Sequence, residues 1–264
     1  MGNGPSIRRR INYLWRLFAT GTGFVIFYFC SFIMLVLILP ILRMVGNNKS
    51  TTSLRVRRIV QSYFSLLISF LVIVGVIKLE ISGTDLLNSC GNKLVLANHP
   101  SYLDIVILLS ILPNACCIIN SKLLANPFIG WIVRAANYIS NDSDAERLVD
   151  DCVKVLKKGG TLIIFPEGTR SIPNQKIRFH RGSAHIALRS GADIQLLIIH
   201  CNPPLFVKGT PWYKIPKQAS KFTIGIKSPI KAQDAIDITE PDSIAARKLT
   251  RFMEEYYSKE ISAA

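Results

Sequence analysis

The chain is short of acidic residues: 17 Asp and Glu stand against 32 Lys and Arg in 264 residues, a net charge of +15. Such a surface suits an anionic partner, and nucleic acid and the anionic face of a membrane are the two candidates. A disulfide framework is also lacking. The six cysteines (Cys30, Cys90, Cys116, Cys117, Cys152 and Cys201) include no CxxC pair, and two are adjacent. That spacing gives neither a disulfide scaffold nor a zinc site, so the residues read as reduced and mostly buried thiols. No Gly-x-Ser-x-Gly occurs, which argues against a serine hydrolase. His180 and His185 are not spaced to share a metal on one helical face, and both read as surface or interface residues. His200, in an apolar strand, reads as a core residue. No metal and no cofactor are therefore expected. Internal repeats and low-complexity stretches are absent.

Hydrophobic residues are abundant at 49%, and the excess sits in the first 80 residues. From Phe18 to Leu42 there is no charged residue, a run long enough to span a bilayer and too long for a signal-peptide core. Ile59 to Ile77 is a second uncharged run. Two crossings would put the short basic stretch 43–58, with Arg43, Lys49, Arg55, Arg57 and Arg58, outside the cell. One crossing would expel Arg8, Arg9, Arg10 and Arg16. Both break the positive-inside tendency. The charges thus predict a re-entrant helical pair in one leaflet, with Pro40 and Gly75 as bends. Every basic cluster would then face the cytoplasmic side of the cytoplasmic (inner) membrane. Nucleic acid would explain the charge but not residues 18–77, so membrane lipid is the expected partner and nucleic acid is not.

The boundary falls near Leu79, which gives a basic N-terminus and two-helix membrane anchor over 1–79 and a globular domain over 80–264. In the latter, strands are predicted at Leu94–Leu96, Ala115–Ile119, Thr161–Phe165 and Ile194–Cys201, with a further strand near the sheet edge at Phe222–Ile226. Helices are predicted near Leu103–Leu112, over Lys122–Ala135 with Pro127 as a breaker, at Ser143–Lys158, Gly182–Ser190 and Ile244–Tyr256. Ser143-Asp144-Ala145-Glu146 reads as a capping box. The alternation predicts an α/β fold, a mixed or largely parallel sheet flanked by helices.

Two segments carry chemistry. Asn98-His99-Pro100-Ser101-Tyr102-Leu103-Asp104 follows a buried strand, where open α/β sheets place their sites. The spacing lets Asp104 turn back on His99, hold one ring N–H and fix the tautomer, so that the other nitrogen can take a proton from an alcohol. The same spacing also suits an Asn-His turn with Asp104 as a helix cap. The second segment, Phe165-Pro166-Glu167-Gly168-Thr169-Arg170-Ser171, again follows a strand. Arg170 can fork onto a phosphate there, with Thr169 and Ser171 as further donors; a solvated loop is the plainer alternative.

Asn98-His99-x4-Asp104 followed by Phe165-Pro166-Glu167-Gly168-Thr169-Arg170 resembles the glycerophospholipid acyltransferase family, over roughly residues 80–205. In size and layout the chain is most similar to its bacterial lysophosphatidate-acylating branch. The resemblance implies that His99 is the general base and that Asp104 orients it. It also implies that Glu167 and Arg170, with Asn98, Gly168 and Thr169, bind the acceptor. Two further blocks resemble the family. Asn126-Pro127-Phe128-Ile129-Gly130-Trp131-Ile132-Val133-Arg134 would contribute Arg134 to the acceptor site. Phe179-His180-Arg181-Gly182-Ser183-Ala184 would contribute Arg181 and the Gly182 helix start, where anions are favoured. Leu196-Leu197 and Tyr138-Ile139-Ser140-Asn141-Asp142 depart from the family pattern, at places where the acceptor is sensed. The implied reaction moves a fatty acyl group from acyl-CoA or acyl-carrier protein to a lysophospholipid hydroxyl, 1-acylglycerol-3-phosphate first among them. Rival readings are a related acyltransferase for another lysolipid, and a non-catalytic anchored protein that grips anionic lipid.

Overall fold

A seven-stranded sheet organises the protein, described here by a computed structural model over residues 7–45, 48–87, 93–142, 144–171, 177–237 and 239–262. The strands are β1 (Ile77–Ser82), β2 (Lys93–Ala97), β3 (Ala115–Ile119), β4 (Ile139–Ser140), β5 (Thr161–Ile164), β6 (Asp193–Asn202) and β7 (Ser220–Ile226). Their order is β1-β7-β6-β2-β5-β3-β4. Every neighbouring pair is parallel except β6 and β7. The expected mixed, mostly parallel sheet is therefore present.

Side-chain alternation along each strand feeds two cores. Val95 and Ala97 of β2 face one side with Ile163 and Ile199, against Leu103, Ile107 and Leu108 of α4 (Leu103–Ile111). Leu94 and Leu96 face the other with Leu162, Ile164 and Ile198. There they meet α6 (Ala145–Lys157), α7 (Gly182–Ser190) and α9 (Asp242–Ser262) through Cys152, Ala184 and Leu249. Five described cysteines are free, and Cys116, Cys117 and Cys152 are buried among these layers. Cys90 lies outside the described residues.

The N-terminal segment forms α1 (Ile7–Ile33), a π-turn (Met34–Ile38), α2 (Leu39–Val45) and α3 (Lys49–Ile73). The π-turn ends just before Pro40, whose ring would clash with the carbonyl four residues back in a regular helix. α3 starts within the basic stretch expected to be a loop, because Asn48 caps it by accepting the Thr51 N–H at 2.8 Å. Its last turn gives way at Gly75, with φ at +76°, and Ile77 begins β1 rather than closing the helix. The two runs Ile7–Leu42 and Lys49–Ile73 are long and apolar enough to cross a membrane. They are not a separate appendage: Ala19, Ile68 and Leu71 share the core of Ile107 and Leu108.

Other differences are local. Asp144, not Ser143, caps α6, accepting the Arg147 N–H at 2.8 Å; Ser143 lies outside the described residues. β7 does lie near the sheet edge, one strand in, with β1 outside it. Lys122–Ala135 divides at Pro127 into a 3-10 turn (Ser121–Ala125) and α5 (Gly130–Ala135).

Tyr257 of α9, fully buried, shares its hydroxyl proton between the carbonyls of Leu96, near the end of β2, and Leu197, in the middle of β6, which ties the helix to both strands. Replacing it by Phe leaves both carbonyls without that donor. We expect Tyr257→Phe to cost about 1 kcal/mol, read as a lower midpoint in denaturant or thermal unfolding with the fold retained.

Candidate active site

The parallel pairing of β2 with β5 brings two chain reversals side by side, since Leu96 lies opposite Ile164 and both strands end at the same rim. His99 leaves β2 two residues past Ala97, and Glu167 leaves β5 three residues past Ile164. The two segments are stitched together. The His99 N–H donates to Glu167 Oε1 at 3.1 Å and meets Ser171 Oγ at 3.2 Å, and the Ser171 N–H donates to the His99 carbonyl at 2.8 Å. The Ser171 hydroxyl donates to Glu167 Oε1 at 2.8 Å. Glu167 and Ser171 thus hold the His99 backbone. Burial pushes the Glu167 carboxyl above the usual range, while the Ser171 hydroxyl and the His99 amide stabilise its charge.

The imidazole is fixed on two sides. Nδ1 lies 2.9 Å from Asp104 Oδ2, and the ring stacks on Phe165 with centroids 4.0 Å apart and 14° between planes. Asp104 sits in the first turn of α4 with no exposed surface. Its Oδ2 also accepts the Ser101 N–H at 2.7 Å, so Asp104 is not the helix cap but an internal acceptor. With Nδ1–H given to the carboxylate, Nε2 is left as an acceptor. Burial raises the Asp104 carboxyl; the His99 hydrogen bond and charge and the Ser101 amide oppose this, and Glu167 adds a small push upward.

A cleft of about 1020 Å³ opens at this rim, lined by His99, Gly168, Thr169, Arg170, Arg181 and Gly182 of the expected residues. Arg170 stacks its guanidinium over Tyr102 at 3.4 Å and donates to the Phe206 carbonyl at 3.1 Å. That spends one N–H and leaves other donors of the fork. α7 opens on the cleft with its free N–H groups, and Arg181 and Gly182 lie at its start. Gly168 has φ at +67°, and a Cβ there would meet His180 Cδ2 at 2.9 Å, so any larger residue would push that ring out.

Three expected acceptor-binding residues lie elsewhere. Asn98 is buried and brackets β6, donating to the Ile199 carbonyl at 2.8 Å and accepting the Ile199 N–H at 2.7 Å. Its amide has both partners in the sheet, so it holds the strand end that carries His99. Glu167 is turned to the backbone, as above. Arg134 lines a separate cavity, together with Arg57 and Lys154, and donates to the Leu124 carbonyl at 3.0 Å. Leu196 and Leu197, where the family pattern is broken, are both fully buried inside β6 and do not face the cleft.

Sequence reasoning missed Lys122, Tyr102, His180 and His185, all of which line the cleft. Tyr102 and His180 carried a signal, through their places inside the first segment and the Phe179–Ala184 block. The histidines are brought there by the turn of the chain after Gly168, with the His180 N–H bonded to the Pro166 carbonyl at 2.8 Å. Among the described residues no group of three or more His, Cys, Asp and Glu side chains converges as a metal site would require.

Residues 78–200 match the family model described as Acyltransferase. This part of the chain, just under half of it, is similar to that family. Curated relatives agree. A 1-acyl-sn-glycerol-3-phosphate acyltransferase of Cocos nucifera is 31% identical over 166 residues, 59% of this chain and 51% of the relative. One from Pseudomonas aeruginosa is 29% identical over 172 residues, 61% of this chain and 64% of the relative. The match thus spans between half and two thirds of those relatives. The crystal structure of the 1-acyl-sn-glycerophosphate acyltransferase PlsC from Thermotoga maritima superposes with a TM-score of 0.65, covering 94% of this chain and 98% of that one. At 21% identity it bears out the fold. The resemblance read from the two segments is borne out by these comparisons.

A carboxyl whose pKa is raised by folding binds its proton more tightly in the native state. Its contribution to stability is greatest below the unfolded value near 3.8 and is lost as pH rises through the folded value. Asp104→Asn cannot ionise. We expect this variant to melt at neutral pH no lower than the parent, and the parent to gain on it as the solution is acidified. Circular dichroism melts across pH check this, and a large loss of stability in the variant at neutral pH would mean that the ionised form supports the fold.

Proposed function

We propose that the chain transfers a fatty acyl group from acyl-CoA or acyl-carrier protein to the free hydroxyl of 1-acylglycerol-3-phosphate, giving phosphatidate. The observation that carries this reading is the His99 Nδ1–Asp104 Oδ2 contact of 2.9 Å at the mouth of a cleft lined by Arg170 and Arg181. Nε2 of His99 removes the proton of the acceptor hydroxyl as its oxygen attacks the thioester carbonyl. Asp104 stabilises the imidazolium that forms. The tetrahedral oxyanion collapses, the C–S bond breaks, and the imidazolium returns the proton to the leaving thiolate. Arg170, Arg181 and the α7 N-terminus hold the acceptor phosphate, which fixes the hydroxyl against the base. The reading calls for neither a metal nor a cofactor.

The membrane supplies the acceptor in this reading. Keeping every basic cluster on the cytoplasmic side favours two helices that lie in one leaflet. A second argument concerns Arg57 of α3. Its guanidinium is buried and donates to the Ala136 and Asn137 carbonyls at 2.7 and 3.1 Å, eight residues from the start of the helix. A hairpin threaded across the bilayer would carry that end of α3 away from the α/β domain and break these bonds. A cysteine placed at position 50 should therefore resist impermeant thiol reagents in intact cells; labelling there would establish a two-span topology and sink the one-leaflet arrangement.

Purified protein should form phosphatidate from lysophosphatidate and a thioester donor, identified by mass spectrometry. His99→Ala should abolish turnover without unfolding the protein. Asp104→Asn should lower turnover by roughly 10⁴-fold, as where a His–Asp pair loses its tautomer. A charge-assisted phosphate bond is worth about 1.5–3 kcal/mol, so Arg170→Ala should weaken the acceptor by roughly tenfold or more and the donor far less. Equal losses for both substrates would assign Arg170 a purely structural role.

A further inference from the structure

Between β6 and β7 lies a segment, residues 203–219, that the reaction above leaves without a task. It contains three lysines, Lys208, Lys214 and Lys217, all exposed, and no acidic residue. Two turns shape its tip: the Thr210 N–H bonds to the Val207 carbonyl, and the Lys214 N–H to the Pro211 carbonyl. Leu205, Phe206 and Ile215 are buried and root it in the core that α1 and α4 share. Trp212 and Tyr213, at the tip, are nonetheless 47% and 53% exposed. Large aromatic side chains left half in water beside lysines mark an interface with something apolar and anionic.

The tip does not stand alone. Trp212 packs on Phe24 of α1 with centroids 5.5 Å apart and lies over Gly21, where a Cβ would sit 3.7 Å from the ring. Arg16 of α1, itself buried, donates to the Pro216 carbonyl at 3.1 Å. Together Trp212 and the exposed α1 residues Leu14, Phe18 and Val25 border an open apolar groove of about 510 Å³. The aromatic tip is therefore continuous with the apolar stripe of the first long helix. Neither this segment nor the chain up to Leu79, which includes α1 and α3, contains an acidic residue. An apolar stripe, a half-exposed Trp–Tyr pair at its side and a rim of lysines are the parts of a surface that enters an anionic bilayer to headgroup depth.

The root of the same segment reaches the cleft. The carbonyl of Phe206 accepts Arg170 Nη1 at 3.1 Å and the Tyr102 N–H at 3.4 Å, while the Phe206 ring meets Phe24 of α1 at 5.7 Å. One short stretch thus touches the lipid-facing helix at one end and the phosphate-binding arginine at the other. We propose that residues 203–219 form a third bilayer-docking element, which seats Trp212 and Tyr213 in the headgroup layer of an anionic membrane. Through the Phe206 carbonyl, it holds Arg170 in register with that surface. A lysolipid lying in the same layer would then meet Arg170 at a fixed depth. The docking stands independently of the reaction; the role given to Arg170 rests on the acyl-transfer reading.

The test uses the full chain with Trp15→Phe and Trp131→Phe, so that Trp212 is the only tryptophan. It is reconstituted in phosphatidylglycerol–phosphatidylcholine vesicles whose acyl chains carry bromine either near the headgroup or near the chain end. Trp212 emission should shift to the blue and be quenched most by the shallow bromine. Emission untouched by either lipid, with a matching Trp15-only variant quenched in the same vesicles, would overturn the docking. Trp212→Phe in the otherwise unaltered protein, which loses the shallow quenching, repeats the measurement if the double variant does not fold. The second arm is kinetic. Trp212→Ala should raise KM severalfold for long-chain lysophosphatidate in vesicles, with kcat and the KM for a short-chain soluble acceptor unchanged. An unchanged vesicle KM would overturn the link to Arg170. Failure of the unaltered protein to acylate any lysolipid would refute the acyl-transfer reading while leaving the quenching result in place.

Discussion

A carboxylate without any exposed surface holds the centre of this molecule. Asp104 has one oxygen bonded to the His99 imidazole and the Ser101 amide, while its other oxygen, Oδ1, is buried with no hydrogen-bond partner among the described residues. Burying such a group is costly, and a chain that only had to fold could place a leucine there. Its neighbours in α4 are apolar, so nothing in the helix itself requires a charge. The position makes sense when the imidazole has to be held by one nitrogen and presented by the other. The β2–β5 pairing, the Glu167–Ser171 clasp and the Phe165 ring then follow as the means of keeping His99 over that buried oxygen.

This explains why the second segment is richer than phosphate binding requires. Of its hydroxyls and charges, Arg170 and Thr169 line the cleft, while Glu167 and Ser171 turn inward to the His99 backbone. Removing the Glu167 carboxylate would release an N–H in the turn that carries His99. The segment therefore does two tasks, its middle residues facing the cleft and the flanking Glu167 and Ser171 facing the first segment. Spacing alone does not reveal that division, because in a loop the direction of each side chain is set by φ and ψ, here by Gly168 in the left-handed region.

Much of the fold was legible for a simple reason: buried strands and amphipathic helices have different periods. β2, β3, α4, α6 and α7 fall within a few residues of their expected places, and the apolar face of α6 is the buried one at Val149, Cys152, Val153 and Leu156. What was misread lies where two signals overlap. Ile77 continues an apolar helix by composition, but the left-handed Gly75 ends that helix, and the residue pairs with Ser220 as a strand. Lys49 to Arg58 looked like a polar loop; a cap at Asn48 and the burial of Val56, Arg57 and Val60 make it helical. Arg57 could not be seen as a core residue from sequence, since its partners are carbonyls 79 and 80 positions away. His180 and His185 illustrate the same limit at the site, where proximity comes from a chain reversal and no periodic pattern records it.

The long N-terminal helices also change meaning once they are placed. Their apolar faces divide between two environments: Ala19, Ile68 and Leu71 are buried against α4, whereas Phe18, Val25, Phe29 and Leu66 are exposed. A helix that crossed a bilayer alone would be apolar all round and would meet its domain only at one end. Here contacts with the α/β domain occur along the whole length. Arg16 bonds to the Pro216 carbonyl, Phe24 meets Phe206, Tyr28 meets Phe128, and Arg57 closes the far end. One side of the pair is thus committed to protein and the other is exposed and apolar. The sheet rim that carries His99 is fixed relative to that exposed side by side-chain contacts rather than by a linker, so in the membrane-bound arrangement we propose the depth of the cleft is a property of the fold itself.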